Sequence, residues 1–298
     1  PPVGRQPRAS PNVRLWLKPD SHMLDAARSN NPSEGRLHDQ TVAGRRNRIA
    51  LVPSSDDSGV RIHPENPRYL TYGGKPFYVI GSGMESQCEP WSRTISQWRA
   101  YLDMLHRNGL NRVRFFPWSF CWSEHLLPTF SPWALLNAKE FDYDLTRLNS
   151  EYWDFVKEIL SMARERDIVV EYVLFDYCSL ADGAGELCWT RHPFSALHNN
   201  GGALPGGKGK PDIYAFFDYS NLDLFVEPLR PKWPWQQRNQ WYQQAYVKHT
   251  VDELTSFPNL YWEIMNEQGW KRIEANGPEW TAHWLAFLDK HDPNRHLR

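Results

Sequence analysis

Glu165-Arg166-Asp167-Ile168-Val169-Val170-Glu171-Tyr172-Val173-Leu174-Phe175 is the stretch on which the fold turns. From Ile168 to Phe175 it is a short run of β-branched, aromatic and aliphatic residues, which reads as a strand. Immediately upstream, Tyr152, Phe155, Val156, Ile159, Leu160 and Ala163 recur at helical spacing, and only Glu165-Arg166-Asp167 separates the two elements. A helix feeding a strand through so tight a joint is one half of a βαβ unit.

Working outward, the same alternation recurs. On the N-terminal side, Tyr69-Leu70-Thr71-Tyr72, Gly73-Gly74 and Phe77-Tyr78-Val79-Ile80 predict a hairpin that leads into a buried strand. Ile95, Trp98, Leu102 and Leu105 then predict a helix, and Val113-Arg114-Phe115-Phe116 the next strand. On the C-terminal side, a helix with Val247, Val251 and Leu254 precedes a strand from Leu260 to Glu267, and a last helix carries Trp280, Trp284, Leu285 and Leu288. Strict alternation predicts an α/β fold with a parallel sheet under helical cover.

The joints are asymmetric. Helix-to-strand connections are tight and closed by Gly or Pro, as in Asn108-Gly109-Leu110 and Phe257-Pro258-Asn259. Strand-to-helix connections are long, from Pro117 to about Asp144 and from Tyr177 to Trp235. Loops of that size are uncommon unless they carry function, and here they gather at the carboxyl ends of the strands, where α/β folds place their sites.

Composition narrows the function. Lys+Arg 34 against Asp+Glu 35 leaves a net charge of -1, so there is no cationic surplus for nucleic acid or an anionic membrane. No apolar run is long enough to span a bilayer. Cys88, Cys121, Cys178 and Cys188 form no C-x-x-C pair, which disfavours a metal; Cys178 and Cys188 read as buried free thiols, or as a loop-clipping disulfide if the protein is exported. Residues 1–60 are polar and read as a linker or the remnant of an upstream module, with 61–298 as the domain. Aromatic residues make up 14% of the chain, enough to fill a core or to line a ligand groove.

The strand ends offer Glu85, Arg112 or Arg114, Asp176 and the pair Asn266-Glu267. Period-two alternation sends Tyr261, Glu263, Met265 and Glu267 one way and Trp262, Ile264 and Asn266 the other. A carboxylate ending a buried strand, with burial raising its pKa and an amide beside it, suits a general acid. Asn266-Glu267 also has the composition of a simple helix cap.

Tyr261-Trp262-Glu263-Ile264-Met265-Asn266-Glu267 resembles the fourth-strand Asn-Glu signature of clan A glycoside hydrolases, the cellulase-like (β/α)8 barrels. Gly109-Leu110-Asn111-Arg112-Val113-Arg114 is similar to their second-strand segment, and His63 to Tyr69 with Gly74-Lys75-Pro76-Phe77 resembles their N-terminal hairpin. The resemblance covers about residues 61–298 and implies a TIM-type barrel, of which the chain carries the N-terminal half preceded by a β-hairpin. It implies Glu267 as acid/base in a retaining reaction on a β-linked polysaccharide or oligosaccharide, Asn266 on the sugar hydroxyl next to the scissile bond, and Arg114 in support. Arg112 reads as a surface or ion-pair residue and Glu263 as the structural partner of an arginine. Asp176 and Glu85 are further candidates for sugar hydroxyls. Trp118, Trp122, Trp133 and Trp189 lie in or beside the long loops and are either sugar platforms or loop packing, whereas Trp98, Trp153, Trp280 and Trp284 read as core. No cofactor or metal is implied, and the expected setting is secreted or periplasmic.

Three departures stand out. Gln268 follows Asn-Glu where Pro is common, and Asp176 ends the third strand where histidine is common. The second carboxylate of a retaining pair, about 5–5.5 Å from the acid, comes from the seventh strand in that family, and this chain shows four strand-helix units with His291 to Arg298 leading toward a fifth. It therefore reads as a fragment, since a free half-barrel would leave two strand edges unpaired. Two other readings stay open: a non-catalytic carbohydrate-binding or scaffold protein on a decayed barrel, and a different barrel enzyme using Asp176 with His192 or His198.

Overall fold

The computed structural model describes residues 58–81, 94–117, 131–137, 142–177, 179, 192–194, 216–217, 235–267 and 277–298. β1 (Val60–Ile62), β2 (Leu70–Tyr72) and β3 (Lys75–Phe77) form a small antiparallel sheet in that order. Gly73 and Gly74 make the β2–β3 turn at φ of +58° and +72°, the paired left-handed conformation that a two-residue hairpin needs.

The main sheet is parallel, in the order β4 (Arg112–Phe115), β7 (Val169–Asp176), β8 (Leu260–Asn266). The hairpin continues onto its edge. Gly81 bridges Arg112 in the parallel sense, and Ile80 C=O accepts from Asn111 N at 2.9 Å. The Asn111 side chain completes the clamp, accepting from Ile80 N (2.8 Å) and donating to Tyr78 C=O (2.7 Å). The buried strand expected at Phe77–Ile80 is not formed: past β3 the segment makes no strand and meets β4 through the single Gly81–Arg112 bridge and the Asn111 bonds. Tyr78, Val79 and Ile80 are 63%, 40% and 51% exposed.

Among the described residues, three of the four helices return to this sheet as their periodicity predicts. α1 (Ile95–Arg107) begins in a reciprocal Thr94–Gln97 capping box and buries Trp98, Leu102 and Leu105. Gly109 at φ +71° ends it. α2 (Ser150–Arg164), capped by Asn149, buries Tyr152, Val156, Ile159, Leu160 and Ala163. α3 (Trp235–Leu254) buries Val247, Val251 and Leu254. α4 (Gly277–His291) follows β8 and buries Trp280, Trp284 and Leu288.

Each return is pinned by backbone or side-chain bonds at the strand start. Val169 N donates to Asn111 C=O (2.8 Å) and Val170 N to Asn259 C=O (2.7 Å), while the fully buried Asn259 amide donates to Leu160 and Ile168 C=O, both at 3.1 Å. After α4 the chain comes alongside β8 again, where Trp262 N donates to Leu297 C=O at 2.8 Å. The turn that delivers it is built on Asp292. Its carboxylate accepts from Trp262 Nε1 (3.0 Å), Thr255 Oγ1 (2.7 Å) and His296 N (2.8 Å), and it meets His296 Nδ1 at 2.9 Å.

The loop expected from Pro117 to Asp144 contains structure that the sequence reading missed. β5 (Trp133–Asn137) and β6 (Asp142–Leu148) pair antiparallel as a separate ribbon. The alternation was available in Tyr143 and Leu145, both buried, between Asp142, Asp144 and Thr146.

Candidate active site

The parallel register sorts side chains into two rows. Phe115, Tyr172 and Trp262 are aligned across the three strands on one face. They form an aromatic row, with Phe115 stacked on Tyr172 at 5.6 Å, Trp262 edge-on to Tyr172 at 5.9 Å, and Trp98 of α1 against Phe115 at 6.1 Å. Alternation places Arg112, Arg114, Glu171, Tyr261 and Glu263 on the opposite face.

That opposite face is ion-paired in two layers. In the lower one Arg112 pairs with Glu171, Arg112 Nε donates to Tyr261 Oη (3.1 Å), and Tyr261 Oη donates to Glu171 Oε2 (3.1 Å). Glu171 was not singled out from sequence, although it is the one charge in the strand ahead of the terminal Asp176. One layer higher, Arg114 grips Glu263 with two nitrogens, Nε donating to Oε2 at 2.6 Å and Nη2 to Oε1. Arg112 and Glu263 therefore have the ion-pair roles expected of them. Arg114 is 8% exposed and also lies over the Phe116 ring at 4.9 Å, so its charge is held by a carboxylate and an aromatic face together.

From this base the network climbs to the carboxyl ends of the strands. Arg114 Nη2 donates to Asn266 Oδ1 at 3.0 Å, and Asn266 Nδ2 donates to Asp176 Oδ1 at 2.9 Å. The backbone keeps the two strand ends in register, with Asp176 opposite Asn266 and Tyr177 N donating to Asn266 C=O at 3.2 Å. Asp176 and Asn266 are 3% and 7% exposed. Three of the residues named from sequence, Arg114, Asp176 and Asn266, are thus joined by direct hydrogen bonds.

Glu267 follows Asn266 immediately and departs from the expected burial. It lies one residue beyond β8, is exposed, and has φ +55°. A left-handed backbone at a non-glycine residue costs on the order of 1–3 kcal/mol and concentrates where function fixes the geometry. The strand alternation therefore ends at Asn266, and Glu267 is presented to solvent.

The remaining expectations separate cleanly. Trp133 is packing: it is 1% exposed, edge-on to Phe194 at 5.4 Å and tilted on Tyr246 at 5.0 Å. Trp98, Trp153, Trp280 and Trp284 are core residues. Glu85, Trp118, Trp122, Trp189, His198, the four cysteines and residues 1–57 lie outside the described residues. His192 is buried, accepts Phe194 N on Nδ1 at 3.0 Å, and is pushed down to about 3 by desolvation, so its ring is neutral near pH 7. Among the described residues no group of three or more His, Cys, Asp or Glu is placed to hold a metal, and no helix is long and apolar enough to cross a membrane.

Comparison with solved structures shows that the α/β fold carrying this site is similar to that of proteins described as glycoside hydrolases. The chain is similar to a protein of Bacteroides vulgatus ATCC 8482 assigned as a glycoside hydrolase, at 16% identity and a TM-score of 0.50, over 82% of this chain and 39% of that one. It is also similar to a point mutant of the glycoside hydrolase family 5 mannosidase from Rhizomucor miehei, at 13% identity and a TM-score of 0.50, over 80% of this chain and 54% of that one. The chain therefore spans 39% and 54% of the lengths of these two structures. At these identities the likeness is one of fold. No family model matches the chain, and no curated protein sequence does.

Proposed function

We propose that residues 61–298 form the N-terminal half of a retaining glycoside hydrolase barrel that cleaves a β-linked polysaccharide or oligosaccharide, with residues 1–60 as a linker from an upstream module. Glu267 is its acid/base. The observation that carries this reading is the placement of Glu267 at the carboxyl end of β8, exposed and next to an Asn266 amide held between Arg114 and Asp176. The Asn-Glu pair in its strand context supports the same assignment.

In that role the Glu267 carboxyl protonates the leaving glycosidic oxygen while a second carboxylate attacks the anomeric carbon. Glu267 then takes a proton from the water that hydrolyses the covalent intermediate. Asn266 contributes a hydrogen bond to the hydroxyl beside the scissile bond, and Arg114 holds the amide in place. In the family that the chain resembles, the second carboxylate ends the seventh strand. Neither a cofactor nor a metal is needed, and the setting is secreted or periplasmic.

The test is Glu267→Gln in the full-length protein. Loss of an acid/base contributes roughly 10²–10⁴-fold in rate, so turnover of natural β-linked oligosaccharides falls by that order while their binding, read by calorimetry, is retained. Unchanged turnover removes Glu267 from the chemistry. Binding without turnover in the unmutated protein would instead favour a carbohydrate-binding protein on a decayed barrel.

A further inference from the structure

We propose that Asp176 is a positioning residue which decides the way round that the Asn266 carboxamide stands, and so which hydrogen-bonding group Asn266 offers a sugar hydroxyl. The inference rests on the reading of Asn266 as the hydroxyl contact. A carboxamide is nearly isosteric about its Cβ–Cγ axis, so shape alone does not fix which end is oxygen and which is NH₂. Here its neighbours do. Arg114 has only donors and meets one end at 3.0 Å; the Asp176 carboxylate has only acceptors and meets the other at 2.9 Å. Turning the amide over would set donor against donor and oxygen against carboxylate oxygen, at a site where all three residues are less than a tenth exposed.

The two flanking groups are themselves fixed. Arg114 is gripped by Glu263 through two nitrogens, and Asp176 is locked to β8 by the register of Asp176 with Asn266 and by the Tyr177 N to Asn266 C=O bond. The relay Glu263–Arg114–Asn266–Asp176 therefore crosses all three strands of the parallel sheet. Of the two Asn266 N–H donors, one is given to Asp176, and among the described residues the other has no protein acceptor. That second donor is what the carboxamide has to give a hydroxyl oxygen. Asp176 thus acts through Asn266.

The experiment reads the Asn266 amide directly. In the ¹⁵N-labelled full-length protein, the side-chain NH₂ pair of Asn266 is identified as the pair lost in Asn266→Asp, and solvent exchange is measured for each of its two protons. The expected result is unequal rates, with the proton facing Asp176 protected. Asp176→Ala should speed that proton by about tenfold or more, the factor a charge-assisted hydrogen bond carries. Asp176→Asn, which keeps an acceptor oxygen, should restore most of the protection. Equal exchange of the two protons in the wild-type protein overturns the proposal.

Hydrolysis of 4-nitrophenyl β-glycosides by the full-length protein supplies the functional arm. Asp176→Ala should lower kcat/KM, and adding it to Asn266→Ala should lower kcat/KM no further; additive losses would mean that Asp176 acts independently of Asn266 and would overturn the proposal. If the wild-type protein cleaves none of these glycosides, the glycosidase reading falls, while the exchange rates still decide the role of Asp176.

Discussion

Replacing Arg114 by methionine removes the donor that joins Glu263 to Asn266 while keeping most of the apolar stem. The Arg114 and Glu263 side chains are 10% and 21% exposed, between the surface case, where an ion pair contributes about 0–1 kcal/mol, and the fully buried case, where breaking one partner costs about 3–5 kcal/mol. The bonds lost include two to Glu263 and one to Asn266, and a largely desolvated carboxylate is left behind. We expect Arg114→Met to cost about 3 kcal/mol, near the low end of the buried range. The double variant with Glu263→Leu should recover about 2 kcal/mol of the summed single losses, because no unpaired charge is then left inside. Urea unfolding followed by tryptophan fluorescence suits a chain with 15 tryptophans. With a slope of about 3 kcal/mol/M, Arg114→Met moves the midpoint down by about 1 M. A loss under about 1 kcal/mol would place the pair in the surface class, and additive single losses would show that Arg114 and Glu263 do not depend on each other; either result refutes the reasoning.

Other outcomes follow from the same structure. Trp133→Ala should cost about 3–5 kcal/mol in unfolding experiments, as a buried aromatic does; a change in sugar affinity without loss of stability would make it a platform after all. Glu267→Gly relieves the left-handed backbone at φ +55° and should raise the thermal midpoint by an amount worth about 1 kcal/mol, whereas Glu267→Gln should leave it where it is. Burial alone would raise the Asp292 carboxyl, but hydrogen bonds from His296, Thr255 and Trp262 override it and hold the group well below the ordinary carboxylate range. Its contribution is therefore complete above the unfolded value of about 3.9 and lost as pH falls below it. Acid titration of stability should show that loss in the wild-type chain and a flatter curve below about pH 4 in Asp292→Asn.

Periodicity in the sequence sufficed for the parallel strands and their helices, because the apolar spacing of Ile95 to Leu105, Tyr152 to Ala163 and Ile168 to Phe175 has one arrangement that buries it. The Asn266-Glu267 pair was legible for the same local reason: it ends an apolar strand. What tertiary structure alone decided was partnership and exposure. Arg112 and Arg114 are equivalent in sequence, and only the stagger of parallel strands gives Glu171 to one and Glu263 to the other. Trp133 sits in a loop by sequence yet is enclosed by Phe194 and Tyr246, from segments 61 and 113 residues further along the chain. Glu267 looked buried by alternation, but a left-handed turn at that one residue takes it to solvent. Contacts between residues close in sequence are written into its spacing; contacts that close across long loops exist only once the sheet has brought the strands together.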